Sequence, residues 1–432
     1  MIALALFALL LGTAAPGDPP PTPYLDRRAE PVEYPGPGRD DPAPEGLAEV
    51  RIGWFGPSDP ADPGTGDFWA GALLAVEEIN KEGGVSRLPV RLVPGWSESP
   101  WAGGVNRVVR MVYEDQVLAI VGSVDGAATH LAEQVVAKGL VPLVSPGSTD
   151  KTVSFAGVPW MLTLLPGDDV QAAALAGWLS GKPGARPVTL VSATDHDSRA
   201  AAAEFRAAFS RAGIPFTAEL QCLPDAADAT GVADQIVSRG ASTSSPASGG
   251  GVVAAPPEST APGTVAILAS PRASARIASA LRAAGHRGAI LGGSNLARRA
   301  FLETARDAGA ATLPPIHDFA EGTIFPLVHD PADPRWTRFA EAFASRYSRQ
   351  PDFTAGAAYD ALRLTAEAAR RAGLNRARIL DTLRALPPWP GVTGEIRFDN
   401  PGRNLRPAPP RHLPPAADPP ATVPALVPRD DR

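Results

Sequence analysis

From Val50 onward the chain alternates short apolar runs with amphipathic stretches of helical period, and this alternation restricts the fold more than any other feature. Val50–Phe55 runs into a glycine-rich turn, after which Trp69, Leu73, Val76 and Asn80 recur at helical spacing as far as Gly83 and Gly84, where glycine most easily takes the left-handed stop. A β-like run at 88–93, a helix carrying Val105, Val108, Val109 and Val112, and an apolar run at 117–121 follow. A helix with Leu131, Val135 and Val136, ended by Gly139, then leads into a run at 141–144. The order is βαβαβαβ, which specifies a parallel sheet with right-handed crossovers and helices on both faces.

The pattern restarts after Pro166: helix 171–179, strand 188–192, a helix ending at Gly213, strand 216–220 and helix 232–237. Beyond an interruption come strand 265–269, a helix ending at Gly285, strand 289–292 and a helix through Phe301. After 322–325 the chain turns helical, with Trp336, Phe339, Ala340 and Phe343 on one face and Tyr359, Leu362 and Leu364 on another helix, before a late strand at 394–398. The fold class is therefore α/β, with two doubly wound parallel-sheet lobes.

Composition removes several alternatives. With 40 Lys and Arg against 46 Asp and Glu, the formal charge is −6, which argues against a nucleic-acid footprint. The single Cys222 cannot form an intrachain disulfide, and six scattered histidines supply no Cys/His zinc framework, so neither a metal nor a cofactor is expected. Residues 2–11 form an apolar run of signal-peptide length followed by Gly12, Thr13, Ala14 and Ala15, which predicts a signal peptide over 1–15, export, and a soluble extracytoplasmic mature chain. The run is too short to span a bilayer. Residues 16–47, 241–263 and 405–432 are rich in Pro, Gly, Ser or charge without apolar periodicity, and read as a disordered tether, insert and tail.

Several strings in order carry a resemblance: Ala75-Val76-Glu77-Glu78-Ile79-Asn80 with Gly83-Gly84-Val85, Ala119-Ile120-Val121-Gly122, Ser145-Pro146-Gly147-Ser148-Thr149, Ala357-Ala358-Tyr359-Asp360-Ala361-Leu362, and Thr393-Gly394-Glu395-Ile396-Arg397-Phe398-Asp399-Asn400-Pro401-Gly402. Over residues 49–404 the chain resembles the branched-chain amino acid binding-protein family, type I periplasmic solute receptors that deliver ligand to an ABC importer. The resemblance implies two lobes joined by three crossovers, one lobe from 48–167 and 327–390 and the other from 168–326 and 391–404, with ligand in the cleft. It also implies as partners a small solute (an amino acid, amide or related polar compound) and an importer permease.

The strand-end loop at 145–149 offers hydroxyls and amides to an acceptor group, which makes Ser148 and Thr149 candidate ligand contacts, although such a turn also serves simply as a cap. The resemblance places the family's ligand-contacting threonine at Thr149. It places a ligand-binding serine where this chain has Gly126, an aromatic near Ser198, and an acid for the ligand ammonium near Ser294; all three groups are missing. Asp125 reads both as a helix cap and as a carboxylate that repels a ligand carboxylate. Asp195 and Asp197 offer negative charge from the second lobe, or simply start a solvated helix. Trp54, Phe55 and Trp69 flank the glycine-rich turn and offer an apolar wall to the cleft, although tryptophan at helical spacing is more often core. These departures predict a neutral, cationic or differently shaped polar solute, with Trp54 available to stack on it, in place of leucine, isoleucine or valine.

Two other readings are weaker. A sensory receptor module of the same fold would need a separate signalling partner. Gly64-Thr65-Gly66-Asp67-Phe68-Trp69-Ala70-Gly71 has the wrong glycine spacing for a dinucleotide enzyme, and Ser145 lacks a G-x-S-x-G elbow. His130, His286, His317 and His329 read as isolated.

Overall fold

The computed structural model describes residues 34, 36–97, 103–182, 187–242, 263–309 and 323–412. The expected signal peptide, the tether up to residue 33, residues 243–262 of the insert, His317 and the tail beyond 412 lie outside the described residues.

The first lobe is built from β1 (Val50–Phe55), α1 (Gly66–Lys81), β2 (Val90–Gly95), α2 (Val105–Tyr113), β3 (Ala119–Gly122), α3 (Gly126–Gly139), β4 (Leu143–Ser145), the single turn α4 (Thr152–Phe155) and β5 (Met161–Thr163). Its sheet is wholly parallel in the order β2-β1-β3-β4-β5. Ile52, Ile120, Val121, Leu143 and Val144 are buried because helices cover both faces, which is why these strands read as unbroken apolar runs. α1 stops where expected: Gly83 and Gly84 have φ of +98° and +73°, and a Cβ on Gly84 would lie 1.9 Å from the Leu88 carbonyl.

The second lobe contains α5 (Asp168–Ser180), β6 (Val188–Ala193), α6 (His196–Arg211), β7 (Phe216–Cys222), α7 (Ala229–Ser242), β8 (Thr264–Leu268), α8 (Pro271–Ala283), β9 (Ile290–Gly292), α9 (Arg299–Gly309) and β10 (Thr323–Pro326). The chain then returns to the first lobe through α10 (Pro334–Tyr347), α11 (Phe353–Ala372) and α12 (Arg376–Ala385), forms the hairpin β11 (Trp389–Gly391) and β12 (Gly394–Ile396), and ends on β13 (Pro410–His412). The second sheet runs β13-β10-β9-β8-β6-β7. β13 is antiparallel to β10, so this sheet is not wholly parallel as expected: the last strand arrives from the opposite direction and covers an edge.

Four boundaries differ from the expected ones. Residues 391–404 belong to the first lobe, because Ile396 and Phe398 pack in its core and the Thr163 N–H donates to the Gly402 carbonyl while the Asn404 N–H donates to that of Thr163. The third crossover therefore follows Leu405, and 405–412 is docked where a tail was expected. The end of the expected tether is docked too: Tyr34 meets Trp160 edge-on at 4.6 Å, and Asn375 Nδ2 donates to the Gly38 and Asp41 carbonyls at 2.7 and 3.1 Å. Proline-rich composition hid these segments because their anchors are one aromatic ring and main-chain carbonyls, neither of which has a period. Residues 241–242 of the insert form the last turn of α7.

Candidate functional site

The carboxyl ends of β3, β4, β6, β8 and β9 face one another across the lobes and enclose a cavity of about 370 Å³. That volume suits a small solute. Loops at these ends form because each strand is followed by a capped helix: Asp125 accepts from the Ala128 N–H at 2.7 Å to start α3, and Asp195 accepts from the Ser198 N–H at 2.9 Å to start α6. Both carboxylates also line the cavity, so the capping and site roles coincide.

Asp197, one turn into α6, reaches across to the first lobe, where the Gly126 and Ala127 amides at the start of α3 donate to its two oxygens at 2.9 and 3.0 Å. A helix start is a favourable seat for an anion, and here the protein's own carboxylate fills it. Gly126 is matched to this arrangement, since a Cβ there would sit 2.8 Å from Asp197 Oδ1 and 2.9 Å from the Asp150 Cβ. Burial and the neighbouring Asp125 push the Asp197 carboxyl up to about 7.

Thr149 lines the cavity and holds Asp168, the first residue of α5, at both ends: its carbonyl accepts from the Asp168 N–H at 2.8 Å and its hydroxyl donates to the Asp168 carboxylate. Burial raises Asp168 well above the usual carboxylate range, with Asp197, Asp150 and Asp169 adding to the effect. Ser148 does not line the cavity. Its hydroxyl is buried without a hydrogen-bond partner among the described residues, and its N–H donates to Ser145 Oγ at 3.1 Å, as a turn would require. Ser294 does line the cavity, its N–H fixed at 2.8 Å by Gln171 Oε1, whose amide in turn donates to the Pro166 carbonyl.

Trp54 is not a cleft wall. It is fully buried, donates its indole N–H to the Pro57 carbonyl at 3.0 Å and packs on Trp69 at 5.5 Å, because both faces of the central strand β1 are covered. The cavity aromatics are instead Phe68 and Phe353. Sequence reading also missed Arg298, which lines the cavity, donates to the Gly64 carbonyl and lies over the Phe68 ring at 5.1 Å. Its only advance signal was a basic residue shortly after the β9 strand end. With Asp125, Asp168, Asp195 and Asp197 against Arg272 and Arg298, acids outnumber bases in the lining.

His130, expected to be isolated, is not: its Nε2 lies 3.2 Å from Asp150 Oδ2, and His196 Nε2 of the other lobe lies 3.0 Å from the same oxygen. His286 is buried and His329 half-buried against Trp336 at 3.9 Å, and desolvation lowers both to about 4.

Two measurements follow from the Thr149–Asp168 pair. Thr149→Ala is expected to weaken solute binding by about 1–3 kcal/mol and, because its hydroxyl donates to buried Asp168, to lower stability by about 1 kcal/mol; unchanged affinity with a lowered melting temperature would make Thr149 structural alone. Because the folded chain keeps its proton on Asp168 above the pH at which the unfolded chain releases it, Asp168 contributes stability at low pH that is lost as pH rises from about 4. This contribution to the melting temperature falls as pH rises, against an opposite slope below about pH 6.5 from His286 and His329, whose folded values are lowered to about 4. Asp168→Asn is expected to reduce the fall without abolishing it, since buried Asp360 shifts in the same direction. An unaltered slope would contradict the assignment.

Two α/β lobes joined by three crossovers, with a small cavity of mixed apolar and polar lining between their strand ends, define a two-lobed cleft-binding protein. The chain belongs to the periplasmic binding protein family, whose model matches residues 49–408. An amino acid binding protein of Pseudomonas aeruginosa is 28% identical over 169 residues, which is 39% of this chain and 45% of that protein, so the match spans less than half of the relative. Among solved structures, the branched-chain amino acid transporter substrate-binding protein LivJ from Streptococcus pneumoniae, in complex with isoleucine, superposes with a TM-score of 0.68 at 22% identity, covering 82% of this chain and 93% of that one. The leucine-binding protein LivK from Thermotoga maritima gives 0.66 at 21%, covering 83% and 93%. A solute-binding protein from Rhodopseudomonas palustris in complex with benzoate gives 0.66 at 13%, covering 86% and 98%. At these identities the likeness is one of fold. No helix among the described residues is long and apolar enough to cross a membrane.

Proposed function

We propose that this protein captures a small cationic or neutral polar solute between its lobes outside the cytoplasm and delivers it to the permease of an ABC importer. The observation that carries the ligand class is the placement of Asp197 on the α3 amides: a zwitterionic amino acid would have to displace a charge already paired there, and burying an unpaired carboxylate is costly. Asp168 keeps its proton there, and it is Asp195 and Asp197, facing the cavity from the second lobe, that favour an ammonium, amidinium or guanidinium group. Delivery to an importer rests on family membership and on the relatives, two of which are named as transporter components binding isoleucine or benzoate.

A thermal-shift panel of primary amines, guanidines, amides, branched-chain amino acids and benzoate tests this reading. A ligand at 100 times its dissociation constant adds about 2.7 kcal/mol to stability. Cationic probes are expected to raise the melting temperature and leucine to leave it unchanged; stabilisation by leucine and benzoate but by no cation would overturn the proposal.

A further inference from the structure

We propose that His130, Asp150 and His196 form a site for a divalent transition metal, with Zn²⁺ the best match to the donors, and that the ion links the two lobes along their seam. The three ligating atoms lie within 4.8 Å of one another. Both imidazole Nε2 atoms converge on Asp150 Oδ2, at 3.2 and 3.0 Å. A tetrahedral Zn²⁺ with bonds of about 2.0 Å separates its ligand atoms by about 3.3 Å, so small side-chain adjustments admit the ion. Two imidazoles and a carboxylate suit Zn²⁺ far better than Mg²⁺ or Ca²⁺.

The supporting shell is already built. His130 Nδ1 lies 3.1 Å from Glu133 Oε2, the carboxylate–imidazole arrangement that turns the other ring nitrogen toward a metal. Asp150 Oδ1 accepts from the Thr152 N–H and hydroxyl at 2.8 and 2.7 Å, which leaves Oδ2 for the ion. Asp150 is buried, whereas the His196 side chain is 43% exposed, so a fourth position can face water. Lys151, the nearest ammonium in sequence, is drawn away to Glu204 at 2.7 Å.

His130 and Asp150 belong to the first lobe and His196 to the second, so the full donor set exists only when the lobes meet. An ion that binds only that arrangement stabilises it by the same factor. The inference is independent of the solute, because its test contains none.

Untagged, chelator-stripped full-length protein is titrated with ZnCl₂ by calorimetry, and small-angle scattering follows lobe separation. One ion per chain and a smaller radius of gyration on zinc addition are expected for the unaltered protein. Glu133→Gln is expected to weaken binding by about 10–100-fold. His196→Ala, at an exposed helix start, is expected to weaken it at least as much and to abolish the contraction. No saturable zinc uptake, or equal affinity in His196→Ala, would overturn the proposal; so would zinc binding without contraction, which would confine the ion to one lobe.

Discussion

Asp67→Ala is expected to lower stability by about 3 kcal/mol, because it removes the buried carboxylate on which two half-buried guanidinium groups and a backbone N–H converge. Asp67 is almost wholly inaccessible; its Oδ1 accepts from Arg299 Nη2 and Nε at 2.9 and 3.1 Å and from Arg349, and its Oδ2 accepts from the Asp352 N–H at 2.9 Å. Arg299 begins α9 of the second lobe, while Arg349 and Asp352 precede α11 of the first, so one carboxylate ties three elements together across the cleft rim. Asp67→Asn keeps one acceptor oxygen for the guanidinium groups but turns an NH2 toward the Asp352 N–H, and is expected to lose less than Asp67→Ala but not to match the carboxylate. Urea unfolding of both variants checks this; a loss under about 1 kcal/mol for Asp67→Ala would show that water replaces the carboxylate at little cost.

Replacing Asp197 is expected to have the largest effect on recognition. In Asp197→Ala the Gly126 and Ala127 amides lose their partner and the cleft loses a negative charge. Affinity for a cationic probe is expected to fall by about 2–5 kcal/mol, the usual cost of removing one partner of a desolvated charge pair. A carboxylate-bearing probe such as leucine is expected to gain. Asp197→Asn removes the charge but keeps one of the two acceptors, so it is expected to fall between Asp197→Ala and the unaltered protein for both probes. Calorimetry on both variants reads the two affinities; a Asp197→Ala protein that retains cation binding and still rejects leucine would contradict the assigned role.

Most of the fold was legible because strand and helix leave different periods. Buried parallel strands such as β3 and β8 read as continuous apolar runs, and α1 ended at Gly83 and Gly84 because few other residues adopt that backbone. The cleft was partly legible. Asp125, Thr149, Asp195, Asp197 and Ser294 were each singled out at strand ends, and all five line the cavity. What stayed hidden was their pairing. Asp197 and Gly126 are 71 positions apart, and His130 and His196 are separated almost as widely, so no local spacing announces either contact. The missing serine at Gly126 looked like a lost donor, whereas the structure shows an anion seat filled from the other lobe. Trp54 was misread because a tryptophan beside a glycine-rich turn suggests an exposed wall, and only the coverage of β1 on both faces shows it to be core.

The central claim is that the cleft accepts a cation and not a zwitterion whose carboxylate needs the α3 amides. It is tested most directly by titration calorimetry with matched pairs that differ only in the carboxylate: arginine against argininamide, and leucine against leucinamide. The amides keep the ammonium group and lose the negative charge. Tighter binding of the amide in at least one pair, by about tenfold (1.4 kcal/mol) or more, is the predicted result; submicromolar binding of leucine with no binding of either amide would contradict it.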